Sequence, residues 1–266
     1  VSLGTALNSA GQRVNLEQIL ITARGGGFLA NDTHIIRRYE PLGAIFGYEV
    51  LGLWQPSDTV LQPGGTRICH LKNRVECTPG EYRIADINGD SVITAADRKI
   101  LGYGDPKFYG GFNNTVTYGP FSLDASITFV SGNKILNAGN AYGRLAKGEL
   151  NERKTVLDRW TPQNTNTLIP RANLNRTRRV YSTLVEDGSY VRLQSITLGY
   201  AIPTRFMRGA ESARVFLTGQ NLWISTDYSG FDPDVNSMGG DARFGGTDIG
   251  AYPRTKSWNV GVAVTF

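Results

Sequence analysis

The chain has 266 residues and a mass of 29.1 kDa, with 40% hydrophobic residues, 19% charged residues and a net charge of +5. No apolar run approaches the ~18–20 residues that a membrane-spanning helix needs, so a helical membrane protein is excluded. Aromatics make up 10% of the chain and are spread along it, which argues against disorder. With a mean hydropathy of −0.24, composition alone reads as a soluble globular protein of one or two domains.

The strand pattern overturns that reading. Apolar and polar residues alternate in segments that predict strands at 1–8, 13–23, 32–40, 44–54, 107–118, 121–131, 189–202, 212–224 and 255–266. After the second, Gly25-Gly26-Gly27 has no helix behind it and reads as a turn, not a phosphate loop. Cys69 and Cys77 are the only cysteines and, in an oxidising compartment, would close a short disulfide loop. Asp86, Asn88, Asp90, Val92, Thr94 and Asp97 fall at positions 1, 3, 5, 7, 9 and 12 of an EF-hand-type calcium loop. Ser91 replaces the usual glycine at position 6, and Asp97 replaces the longer glutamate at position 12. The alternative is an Asx-rich turn capping a short helix from Thr94.

Phe108, Gly110, Phe112, Val116 and Tyr118 share one face of the next strand, with Asn114 as the exception. Gly119-Pro120 then forms a tight hairpin turn, and Phe121, Leu123, Ala125, Ile127 and Phe129 continue the apolar face. The tightest basic cluster, Arg176, Arg178 and Arg179, reads as a solvated loop, and the scatter of the other basic residues argues against nucleic-acid binding. Within 189–202 the phase changes between Leu193 and Ile196, which predicts a bulge. The last segment is the clearest. Trp258, Val260, Val262, Val264 and Phe266 face one way, with small or polar residues between them.

Short connections (9–12, 41–43, 119–120, 203–211) and long ones (55–106, 132–188, 225–254) alternate along most of the chain. Short turns at one end and long loops at the other are the asymmetry of outer-membrane barrels. The predicted fold is therefore all-β: a segment of about nine antiparallel strands from a large transmembrane β-barrel. Average hydropathy is unremarkable because only every second strand residue meets lipid.

Several stretches resemble the C-terminal part of SusC/RagA-type TonB-linked outer-membrane transporters. They are Glu40-Pro41-Leu42-Gly43 with Phe46-Gly47-Tyr48, Asp86 to Asp90 with Asp97-Arg98, and Pro106-Lys107-Phe108 leading to Gly111-Phe112-Asn113-Asn114. Gly132-Asn133-Lys134-Ile135, Asp158-Arg159-Trp160-Thr161-Pro162 and Glu186 to Leu193 follow. Then come Ile196 to Tyr200, Thr218 to Leu222, Asp227-Tyr228-Ser229-Gly230-Phe231-Asp232-Pro233 and Tyr252-Pro253-Arg254. The resemblance implies a fragment, 1–266, without signal peptide, plug or early strands. It implies residence in the cell outer membrane and TonB-energised uptake of oligosaccharides or peptides. It also implies a SusD-type surface lipoprotein as partner, contact with TonB through the missing N-terminal part, and assembly of the C-terminal strand (Trp258, Val260, Val262, Val264, Phe266) by the barrel assembly machinery.

Trp54, Tyr118, Phe121, Tyr200, Trp223 and Trp258 near strand ends read as an interfacial girdle in lipid. Loop aromatics Tyr142, Trp160, Tyr228 and Phe231 are weak candidates for stacking on sugars, against the ordinary role of packing a loop. No catalytic constellation stands out, and His34 and His70 have no nameable partner, so the chain reads as a non-enzyme. Calcium would be structural, and no other cofactor is expected. The competing reading is a secreted soluble β-sandwich with a dockerin-like calcium loop. Open edges cannot persist in lipid, so residues 1–266 alone are expected not to insert as a closed barrel.

Overall fold

A computed structural model describes the chain except for residues 1–2, 8–11, 24–28, 30–31, 62–66, 73–76, 149–150, 204, 206–208 and 236. The Gly25–Gly27 turn lies outside the described residues. In chain order the strands begin with β1 (Thr5–Leu7), β2 (Arg13–Asn15), β3 (Gln18–Ile21), β4 (His34–Arg37), β5 (Ala44–Tyr48) and β6 (Val50–Leu53). Next are β7 (Val60–Leu61), β8 (Arg67–Ile68), β9 (Tyr82–Ile84), β10 (Arg98–Tyr103), β11 (Phe108–Tyr118) and β12 (Phe121–Ser131). The last are β13 (Lys134–Asn137), β14 (Val185–Asp187), β15 (Tyr190–Ile202), β16 (Ser212–Thr226), β17 (Thr247–Asp248) and β18 (Ser257–Thr265). The one α-helix among the described residues is a single turn, α1 (Asn140–Gly143). Among the described residues, no helix is long and apolar enough to cross a membrane.

The chain divides into two compact units. The second, Pro106–Asn133, Asp187–Asp234 and Tyr252–Phe266, is one antiparallel sheet in the order β11-β12-β15-β16-β18. Its first hairpin pairs Tyr118 with Phe121, and Gly119 at φ +56° takes the left-handed position that a two-residue turn demands. The predicted bulge is present. Ser126 pairs with Ser195 and Ile127 with Leu193, so Gln194 is passed over. Gln194 is passed over again toward β16, where Asn221 (φ +52°) and Leu222 are skipped in turn. The bulge returns the apolar side chains to one face on both sides of the phase change.

The first unit, Val1–Asp105, Lys134–Glu186 and Val235–Ala251, is built from short strands around a packed core. Here the strand reading is corrected. The predicted ranges 13–23 and 44–54 each break into two strands, and the described strands up to residue 54 run at most five residues. They join several small sheets, β1-β2, β10-β5-β4-β3 and β6-β9, and are not membrane-length strands. The cause is visible in β5, where all five residues are buried. Ile45 and Tyr48 enter one apolar cluster, whereas Ala44 and Phe46 enter another. A strand covered on both faces reads as a continuous apolar run. The close approach of the chain here needs Gly47, because a Cβ there would collide with the Val180 carbonyl that accepts the Tyr48 N–H at 2.8 Å.

Candidate functional site

Directly paired residues of an antiparallel sheet lie on the same face, so the register assigns every side chain of the second unit. One face carries Phe112, Val116 and Tyr118 of β11, Phe121, Leu123 and Ile127 of β12, and Leu198 and Tyr200 of β15. It continues through Val215, Leu217 and Trp223 of β16 to Val260, Val262 and Val264 of β18. These side chains are not a core. Val260 is 77% exposed, Val262 65% and Trp258 62%. Five strands ~4.8 Å apart and ~33 Å long present roughly 800 Å² of sheet. Soluble monomers rarely expose more than a few hundred Å² of contiguous apolar surface. A β-sandwich would bury this face against a second sheet, so the soluble sandwich reading does not hold.

Aromatic rings mark the ends of this face. Phe121 and Tyr200 lie 5.1 Å apart at the short-turn end, where Tyr118 and Phe266 are each 85% exposed. Phe108 and Phe129 stack at 5.5 Å at the opposite end. Ten residue steps separate Phe108 from Tyr118, ~33 Å along the strand and about 25 Å in height at a tilt near 40°, the height of a barrel's apolar band. Trp54 is corrected out of this girdle, since it is buried in the core of the first unit beside Tyr82 and Cys77.

The other face is mostly polar and internally bonded, with Tyr109, Val130, Tyr190 and Phe216 among its large apolar or aromatic members. Thr115 donates to Asp124 at 2.8 Å, and Thr197 and Thr218 share a hydrogen bond at 2.8 Å. Arg214 of β16 crosses β15 to reach Ser122 (2.9 Å) and Asp124 (3.4 Å) of β12. Gly199 makes that crossing feasible, because a Cβ there would lie 2.5 Å from the guanidinium. Such a face suits a wet lumen.

At the long-loop end, Arg192 and Asp232 form a buried bidentate pair, with Nη1–Oδ2 at 3.1 Å. Arg254 approaches Asp232 at 3.9 Å and pairs with Asp234, whose N–H donates to Asp232 at 2.9 Å. The clamp joins β15, the 227–234 loop and the segment before β18. Sequence reading quoted these stretches but missed the pairing, because its members lie 40 residues apart with no shared periodicity.

In the first unit, the segment 86–97 is wound on its own side chains. Asp86 accepts the N–H of Gly89 and of Ser91, each at 2.8 Å, and Asp90 accepts that of Val92 at 2.7 Å. Asn88 bonds Asp90. Asp97 is fully buried, accepts the N–H of Ile87 and of Thr94, and closes the capping box of a 3-10 turn at Ala95–Asp97. Ser91 adopts φ +65°, so it makes the turn for which glycine is the usual choice. As arranged, no three His, Cys, Asp or Glu side chains among the described residues are placed to share a metal ion. Cys69 and Cys77 are joined in a disulfide with their Cα atoms 6.1 Å apart.

Two candidate stacking residues are corrected. Trp160 is buried against Gly80 and donates to Gln55 at 3.0 Å, and Tyr228 is 5% exposed. Neither presents a ring to a ligand. Phe231 is 74% exposed, and the side chain of Tyr142 lies outside the described set. Arg176 is likewise no solvated loop residue. It is buried and grips Glu81 through Nε (3.0 Å) and Nη2 (2.8 Å).

His34 is fully buried, with Nδ1 2.9 Å from Thr33 Oγ1 and the Phe244 ring edge-on at 5.4 Å. Burial pushes its pKa down to about 4, partly offset by the hydrogen bond that the ring donates to the Gly245 backbone. The unfolded chain titrates near 6.5 and therefore takes up the proton first. Stability should thus be full above pH ~6.5 and fall by about 3 kcal/mol as the pH drops to ~4. Denaturant midpoints of the wild type and His34→Gln across that range should converge at low pH.

No protein-family model matches the chain. TonB-dependent receptor P3 of Formosa agariphila is 34% identical over 256 residues, which cover 94% of this chain and 25% of that protein. TonB-dependent receptor SusC of Bacteroides thetaiotaomicron is 33% identical over 86 residues, 31% of this chain and 8% of that protein. In the structure of the RagAB peptide transporter, one chain superposes with a TM-score of 0.66 at 23% identity, over 95% of this chain and 25% of that one. The chain spans about a quarter of the length of the curated relatives that match most of it.

Proposed function

This chain belongs to the TonB-dependent receptors, spans about a quarter of the length of those that match most of it, and has the fold of part of a SusC/RagA-type β-barrel, and from that premise we propose that it serves nutrient uptake across the outer membrane. The carrying observation is the broad, bare apolar face of β11, β12, β15, β16 and β18, backed by a bonded polar face. The apolar side meets lipid and the polar side meets the lumen.

Among the described residues, β11 pairs only with β12 and β18 only with β16. In the working receptor these edges close onto further strands of the barrel. The long connections point outward, toward a SusD-type lipoprotein. The barrel assembly machinery takes hold of the C-terminal strand, and TonB acts through a part of the receptor that this chain does not include. Oligosaccharides or peptides are the cargo, and one relative in structure is a peptide transporter. The described relatives are receptors and transporters, not enzymes.

Cell fractionation with an energised uptake assay tests this reading. The protein should sediment with the outer membrane, and nutrient uptake should stop when TonB is deleted. A fully water-soluble protein, or uptake indifferent to TonB, would contradict it.

Calcium at 86–97 is a separate proposal, supported by the alternate-position donors and the left-handed Ser91. Titration calorimetry at millimolar calcium should give heat that Asp86→Ala abolishes. No heat overturns it.

A further inference from the structure

In the second unit, one side chain on the apolar face does not suit lipid. The register sets Asn114 of β11 in a row with Ala125, Ile196, Gly219 and Trp258. Asn114 is exposed, and among the described residues its side-chain amide meets no hydrogen-bonding group. It lies six residues from Phe108 and four from Tyr118. Four strand steps are ~13 Å, or about 10 Å in height at a tilt near 40°, close to the middle of a ~25 Å apolar band. An amide without a partner at that depth is costly. Lysine and arginine reach the interface on long stems, whereas asparagine has a single methylene. A partner must therefore come to it.

No such partner stands on the described sheet. Asn114 faces Ala125 on β12, with Leu123 and Ile127 on the diagonals. Its neighbours on the same face of β11 are Phe112 and Val116. The open side is the free edge of β11, which among the described residues pairs with β12 alone. In lipid that edge has to pair, because its backbone groups find no water. The hairpin fixes the geometry there. A two-residue turn closes on a hydrogen-bonded pair, here Tyr118 and Phe121, and such pairs alternate along the ladder. Asn114 and Ala125 are thus a hydrogen-bonded pair, and the Asn114 backbone points toward β12. Across the free edge, position 114 takes a non-hydrogen-bonded place, where facing Cα atoms lie ~4.5 Å apart and side chains meet most closely.

We propose that the receptor strand closing onto β11 carries a hydrogen-bonding side chain (Asn, Gln, Ser or Thr) opposite Asn114, and that this pair fixes the register of the joint. Alternation alone does not fix it. A slip of one residue turns apolar side chains to the wet face, but a slip of two keeps both faces in order. The amide pair penalises the slip of two, which would leave two polar groups against apolar neighbours in lipid. A single buried asparagine sets the register of coiled coils for the same reason. The inference rests on the uptake reading, since the apolar face meets lipid only in a membrane barrel.

Cysteine cross-linking in the full-length receptor, in outer membranes, tests it. Asn114→Cys is combined in turn with single cysteines at lipid-facing positions of the other barrel strands. One position should cross-link in highest yield, and its wild-type residue should be Asn, Gln, Ser or Thr. An apolar wild-type residue there overturns the proposal, as does a cross-link that joins two receptors. Urea titration of Asn114→Leu in lipid vesicles reads the sign of the effect. Loss of a paired amide should lower the midpoint, whereas leucine in place of a bare amide would raise it and overturn the proposal. Asn114→Gln, which keeps the amide, should fall between Asn114→Leu and the wild type. Sedimentation of the wild-type receptor with the outer membrane, measured alongside, separates the two failures. A membrane-bound receptor with an apolar residue facing 114 removes only the amide pair, whereas a water-soluble receptor removes the uptake reading as well.

Discussion

Replacing Arg192 by Leu should destabilise the protein by about 3–5 kcal/mol, the usual result of removing one partner from a buried ion pair. Asp232 would keep only the N–H of Asp234 at 2.9 Å and the more distant Arg254. The 227–234 loop and the segment before β18 would lose their shared anchor. Arg192→Leu combined with Asp232→Leu should recover most of the loss, because no buried charge is then left unpaired. Denaturant titrations of the two single variants and the double variant give the coupling. A double variant as damaged as Arg192→Leu would mean that the pair does not act as a unit.

Val262→Arg should cost about 2–4 kcal/mol of folding stability in a bilayer, the penalty for arginine near mid-membrane on a barrel's outer face. Val262 lies midway between Trp258 and Phe266 along the strand and is 65% exposed. Its neighbour Ala263 points to the polar face, where Ala263→Arg should change stability far less. The contrast between adjacent residues separates lipid contact from a general dislike of arginine. Urea titrations of the full-length receptor in lipid vesicles measure both. Equal costs at 262 and 263 would remove the two-faced reading of β18.

Legibility in the sequence followed the physics of burial. The strands at 108–118 and 121–131 match the predicted 107–118 and 121–131 almost residue for residue, because each has one apolar and one polar face. The phase change at Leu193 to Ile196 was likewise visible, since a bulge is a shift in period two. The first 54 residues misled for the opposite reason. Ala44, Ile45 and Phe46 are covered on both sides, so the run toward Trp54 looked like one long strand.

The candidate site divided in the same way. The C-terminal apolar row needs only local alternation. The Arg192–Asp232 pair and the Arg171, Arg176 and Glu81 cluster join residues that only tertiary folding brings together. Trp160 and Tyr228 stand in loops by sequence, yet they pack inward, as most large loop aromatics must.

The central claim is that β11, β12, β15, β16 and β18 present one face to lipid and the other to water. Nitroxide labels placed singly from 257 to 265 in the full-length receptor, reconstituted in membranes, test it directly. Collision with oxygen should peak at 258, 260, 262 and 264, and collision with a water-soluble nickel complex should peak at the residues between, with a period of two. Uniform access of the nickel complex along the strand, or oxygen peaks on the polar residues, would contradict it.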